Sequence, residues 1–136
     1  HSISNKVYQQ FGTSKNLLKY ISSIKIEKPL HGISTKKQKS LLCWANSPQR
    51  KNNKKIKIQT RLDVYDTFYD IWGLGEWSID MLSIFYFCIP NIWPESDLGI
   101  MKYSDKFFHG RKPRSINGLE TITALCIWQG IDNKIF

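Results

Sequence analysis

Apolar residues recur along this chain at three- and four-residue intervals, and runs of alternating Val, Ile and Thr are few. That spacing predicts helices rather than strands, because one helix face returns every three to four residues and one strand face every second residue. A first helix, capped by Ser4, puts Val7, Tyr8 and Phe11 on one face and ends at Gly12. Ser14 caps a short second helix holding Leu17, Leu18 and Ile21, and Pro29 and Gly32 bound a turn. A helix from about Thr35 to Asn46 buries Leu41, Leu42 and Ala45. Ser47 to Thr60 is polar and reads as a solvated loop, with a short element near Ile56–Ile58. Helical spacing resumes at Arg61 through Val64, Phe68 and Ile71, and Gly73 and Gly75 break it. Glu76 to Phe87 forms the next helix, and Pro90 and Pro94 bracket a loop. Ser96 N-caps a helix starting near Asp97. A last helix spans about Leu119 to Gln129, with Ile122, Leu125 and Ile127 or Trp128 as its apolar side. The pattern is all-α.

Composition narrows the class. The 136 residues suit a single domain over 1–136, and no internal repeat is visible. An apolar share of 41% excludes a wholly disordered chain. Twenty cationic against 11 acidic side chains give a net charge of +9, which favours an anionic partner without saying which. Cys43, Cys88 and Cys126 lie far apart and read as small buried hydrophobes in a reducing compartment. They suggest neither a disulfide framework nor an iron–sulfur centre. His1, His31 and His109 are scattered, so no zinc site is visible. The apolar stretch near Met81 to Pro90 is far too short to span a bilayer, and no signal peptide is seen. The chain begins at His1 without an initiator Met, as a fragment or processed chain would.

The most informative segment is Tyr69-Asp70-Ile71-Trp72-Gly73-Leu74-Gly75-Glu76-Trp77-Ser78. It joins two amphipathic helices by a turn with two glycines. Glycine permits positive φ and close backbone approach. The first amides of the following helix lack intrahelical partners, so they can bind an anion such as a phosphate. An ordinary helix hairpin with a glycine turn fits the same residues.

The wider pattern, Ile71 to Met81, resembles the helix-hairpin-helix motif of the DNA base-excision glycosylases. Downstream, Trp93-Pro94-Glu95-Ser96-Asp97-Leu98-Gly99 is similar to the Pro-x-x-Asp-Leu-Gly segment that carries the catalytic aspartate of this superfamily. Ile3-Ser4-Asn5-Lys6 resembles the end of the family's Gln-Gln-x-Ser-x-Lys segment. Gly32 to Lys37 resembles the turn before a helix, and Thr121 to Trp128 the family's last helix. The likeness covers nearly the whole chain, with gaps at 49–60 and 106–119. It is nearest to the DNA-3-methyladenine glycosylase II, or alkylation-repair, branch. It implies the helix-hairpin-helix glycosylase fold, here without its first helix or an N-terminal accessory domain.

The resemblance implies a monofunctional glycosylase that hydrolyses the N-glycosidic bond of flipped-out alkylated purines in duplex DNA. The product is an abasic site. Asp97 would be the catalytic carboxylate, stabilising an oxocarbenium-like transition state. Alone, Asp97 reads first as an acid serving only a helix dipole, and the hairpin upstream turns that reading toward catalysis. Relatives that also cut the DNA backbone carry a lysine where Trp77 stands, and a Trp cannot form their Schiff base. Trp128, Met81 and Trp77 would line the base pocket, where aromatic faces attract a cationic purine. Each also reads as a core residue. Gly73, Gly75 and Ser78 would offer backbone amides to a DNA phosphate. The carbonyls of Tyr69, Ile71 and Leu74 would hold a monovalent cation, Na⁺ or K⁺, and no other cofactor is expected. The Lys51–Lys57 run and the Arg111–Arg114 cluster would reach further phosphates, or form solvated surface. The expected partner is duplex DNA, with no membrane and no protein partner. The expected setting is a monomer inside the cell with the DNA, in a bacterial cytoplasm or a eukaryotic nucleus.

The chain departs from the family in places. His1-Ser2-Ile3-Ser4 lacks the glutamines of the region that supplies a wedge side chain. Asn117-Gly118-Leu119-Glu120 puts an acid where a base is usual before the last helix. Two other functions therefore remain open: a helix-hairpin-helix DNA-binding module without activity, and a glycosylase for another lesion.

Overall fold

A computed structural model describes residues 3–23, 30, 32–48 and 57–135. Pro29, Ile56 and the Lys51–Lys55 part of the basic run lie outside the described residues, as do His1, Ser2 and His31. The described chain is helical, with no strand beyond one bridge between Leu30 and Ile33. It divides into two compact units, one of residues 1–56 and 70–74, the other of 57–69 and 75–136.

The first unit holds α1 (Ile3–Phe11), α2 (Ser14–Ser23) and α3 (Thr35–Asn46). Gly12, at φ +66°, ends α1 in the left-handed region that glycine adopts without strain. The cap of α2 is Thr13 rather than Ser14, because the Asn16 amide donates to the Thr13 hydroxyl at 3.2 Å. Leu18 and Ile21 are buried as expected, whereas Tyr8 is exposed. Ser34 caps α3 by accepting from the Lys37 amide. Leu41 and Leu42 are only half-buried, and Gln38 takes the fully buried place instead. Its side-chain amide donates to the Ile33 carbonyl at 2.9 Å, which ties the start of α3 to the preceding turn.

The second unit holds α4 (Arg61–Phe68), α5 (Glu76–Met81), α6 (Leu98–Phe108) and α7 (Glu120–Asp132). Thr60 and Asp63 form a capping box at the start of α4. Ile71, expected at helical spacing, is buried but falls outside the helix, in the turn that follows. The helix expected over Glu76 to Phe87 is α-helical only to Met81. It widens into a π-helical turn over Leu82–Tyr86, closed by the Phe87 amide on the Leu82 carbonyl at 3.0 Å. Cys88, at φ +54°, stops it.

Val64, Ile79, Ile84, Ile89 and Ile92 form one buried cluster of this unit, and Ile100, Ala124 and Ile127 another. Trp128 packs against both. Ile122 is 57% exposed, so the apolar side of α7 runs through Ala124, Ile127 and Gly130 instead. The loop before α6 is pinned by Thr121. Its hydroxyl donates to the Ile89 carbonyl at 2.8 Å and accepts from the Ile92 amide at 3.0 Å. The cysteines are not the buried trio that composition suggests. Cys88 and Cys126 are exposed, and Cys43 is half-buried.

Candidate functional site

Asp97, not Ser96, is the N-cap of α6. Its φ of −77° and ψ of 127° are extended, and its Oδ1 accepts the Ile100 amide at 3.0 Å. Two indoles then meet the same carboxylate. Trp128 Nε1 donates to Oδ1 at 2.9 Å, and Trp77 Nε1 donates to Oδ2 at 2.9 Å. Three of the residues singled out in the sequence are thus brought to one point. They come from the hairpin's second helix, the N-terminus of α6 and the middle of α7.

Burial alone pushes the Asp97 carboxyl up, since the charged form loses water. The hydrogen bonds from Trp128, Trp77 and the Ile100 and Gly99 amides outweigh that and hold it below the usual carboxylate range. At neutral pH the group is an anion whose lone pairs are mostly spent. It is a weak base and a fixed negative charge. Gly99 allows this arrangement: a Cβ there would lie 3.1 Å from Asp97 Oδ1 and 3.2 Å from Ile131 Cδ1.

Trp128 is half-buried, and its ring lies nearly parallel to Phe85, with centroids 5.8 Å apart. Trp77 is 50% exposed. Met81 is part-buried and packs against the first cluster of the unit, as Trp128 does. Phe85 was missed by the sequence reading. The signal was present, because Trp77, Met81 and Phe85 are spaced four residues apart along one helical stripe.

Gly75 and Ser78 lie at the start of α5, where Gly75 is the cap and no side chain closes the end. Nothing lies within 4 Å of a Cβ built on Gly75, so its face is open. The first turn carries Glu76, which pairs with Arg61. Arg61 Nε also reaches the buried Asp80 at 2.5 Å. Burial pushes the Asp80 carboxyl above its usual range, against the pull of Arg61.

Gly73, Ile71 and Leu74 belong to the first unit, where α3 fastens the turn. Gly73 has φ +85°, and a Cβ would fall 2.5 Å from Ser40 Oγ. The Trp72 amide donates to Cys43 Sγ at 3.4 Å, and Lys39 Nζ sits 4.2 Å from the Trp72 ring centroid. The Ile71 carbonyl accepts the Leu74 amide at 3.1 Å and keeps a second lone pair. The Tyr69 amide bonds back to Tyr65 O.

The second basic cluster is partly spent. Lys112 Nζ bonds Glu120 Oε1 at 2.6 Å and Asn117 Oδ1 at 3.0 Å, so the acid that opens α7 neutralises it. Arg111, Arg114 and Lys57 are exposed. Among the described residues no group of His, Cys, Asp and Glu could hold a metal ion, and no helix is long and apolar enough to cross a membrane. Comparison with protein-family models, curated proteins and solved structures finds no match to this chain.

Proposed function

We propose that the chain is a monofunctional DNA glycosylase of the helix-hairpin-helix kind, releasing alkylated purines from duplex DNA. The observation that carries this reading is the Asp97 carboxylate, held between the N–H groups of Trp77 and Trp128 at the N-terminus of α6.

Breaking an N-glycosidic bond develops positive charge on the sugar. A fixed anion beside it lowers the barrier without moving a proton, and preorganised charge is the strongest kind of catalytic help. Asp97 suits that task better than general-base work, because its hydrogen bonds depress its basicity. An N-alkylated purine is already cationic and leaves readily, so a base-protonating acid is not required. The target must first leave the stack, because its anomeric carbon is shielded in the duplex. Trp77 supplies no amine, so no Schiff base forms and the product is an abasic site.

In this reading the hairpin binds DNA. The amides of Gly75 and Ser78 at the start of α5 would take a phosphate, as the resemblance also implies for Gly73, and the open face at Gly75 lets it approach. The carbonyls of Ile71 and Leu74, with Tyr69 as the resemblance implies, are the groups that would hold Na⁺ or K⁺. Such an ion would supply positive charge to the phosphate. Arg111, Arg114 and Lys57 add sequence-independent attraction.

The test is to incubate the protein with methylated duplex DNA and separate the free bases by chromatography. Release of methylated purine, with alkali-labile sites left in the strand, is expected. A protein–DNA adduct trapped by borohydride would contradict the monofunctional mechanism. DNA binding with no released base would leave only a binding module.

A further inference from the structure

Phe85 is 61% exposed, and its ring lies 25° from parallel with Trp128, 5.8 Å away. Single exposed aromatics are ordinary on protein surfaces. This one is backed by the indole that donates to Asp97 Oδ1. Trp128 itself is built into the unit: it packs against both apolar clusters, and its Cδ1 is 3.6 Å from the Cβ position of Gly99. Its polar edge is occupied by the carboxylate. The more accessible aromatic surface is that of Phe85.

The backbone supports this placement. Phe85 sits in the π-helical turn over Leu82–Tyr86, where Ser83 and Ile84 point into the core and Phe85 and Tyr86 stay in solvent. One-turn π widenings inside helices are found often at functional sites. The surface calls for a planar occupant, because a flat ring binds best by stacking. It calls for a positive one, because ring faces are negative.

We infer that Phe85 is the stacking contact for the cationic purine, while Trp128 acts behind it as the positioning residue for Asp97. The inference rests on the proposed glycosylase function and moves the base contact away from Trp128, where the family resemblance puts it.

The test compares wild type with Phe85→Ala, Phe85→Leu and Phe85→Trp by equilibrium dialysis, using 7-methylguanosine as the cationic probe and guanosine as its neutral counterpart. Base release from methylated duplex DNA is measured in parallel, and circular dichroism checks the fold. Wild type is expected to retain 7-methylguanosine in preference to guanosine. The Ala and Leu variants should lose about tenfold in that binding, the scale of one base–aromatic stack, and Trp should restore it. The inference is overturned if Phe85→Ala binds as wild type does, or if Leu serves as well as Trp. It is also overturned if wild type does not prefer the cationic probe. If ring-dependent cation binding is present but no base is released from DNA, the Phe85 contact stands and the glycosylase reading falls.

Discussion

Asp97 Oδ1 serves two partners at once, the Ile100 amide that closes α6 and the Trp128 indole, while Oδ2 takes Trp77. The carboxylate is therefore fixed in direction and held ionised. This sets the sign of its pH dependence. A group whose pKa is lowered by folding stays charged as pH falls, until its depressed value is reached. Base release should hold into the acidic range where an ordinary Asp would already be half-protonated. Trp128→Phe or Trp77→Phe removes one donor to the charged carboxylate and should move the acid limb of the rate profile upward. A purely structural role for the indoles would lower the rate and leave the limb in place.

The two hairpin glycines make a second residue-scale contrast. Gly73 combines a positive φ with a Cβ position 2.5 Å from Ser40 Oγ, whereas Gly75 has φ −94° and open space. Gly73→Ala should cost roughly 1–3 kcal/mol in thermal or urea unfolding. Gly75→Ala should leave stability nearly unchanged and weaken DNA binding, because the added methyl meets only the incoming phosphate.

At the scale of elements, α4 is tied to α5 through Arg61, which bridges Glu76 and the buried Asp80. Arg61→Leu strands the Asp80 carboxylate and should destabilise the protein by about 2–3 kcal/mol, less than for a fully buried pair because Arg61 reaches solvent. Asp80 already titrates above its usual range, and the loss of Arg61 raises it further. The deficit should shrink as pH falls through that raised value, because protonation removes the stranded charge. Urea unfolding at two pH values reads this directly.

Most element positions followed from spacing, and the departures have physical causes. The limits of α3 were readable because Ser34 precedes a polar-to-apolar run and a Ser-Pro pair follows it. Ser96 and Asp97 both favour the cap position of α6, and only the Ile100 amide, bonded to Asp97, decides between them. The π turn had no local signature. It arises where Phe87 must reach the core while Phe85 and Tyr86 do not. On α7 periodicity cannot choose a side, because Ala124 to Trp128 is an unbroken apolar run, and Ile122 proves exposed. At the site, the sequence indicated Asp97, Trp77 and Trp128 but not that both indoles bond the carboxylate. That contact joins side chains 20 and 31 positions from Asp97, beyond local pattern.

For the whole molecule, the net charge of +9 becomes more specific once internal pairs are removed. Lys112 is consumed by Glu120 and Asn117, while Arg111 and Arg114 are exposed. Log affinity for duplex DNA should fall linearly with log salt. Arg111→Ala and Arg114→Ala should each flatten the slope by about one, whereas Lys112→Ala should leave it unchanged. In the proposed function the charge would gather DNA without choosing a base, and the choice would lie with the aromatic residues around Asp97. The most direct measurement is the single-turnover rate of base release from duplex DNA carrying 7-methylguanine, wild type against Asp97→Asn. The account predicts release by wild type and a loss of about 10²–10³-fold in the variant with DNA affinity kept. Equal rates in the two proteins, or background release from both, would contradict it.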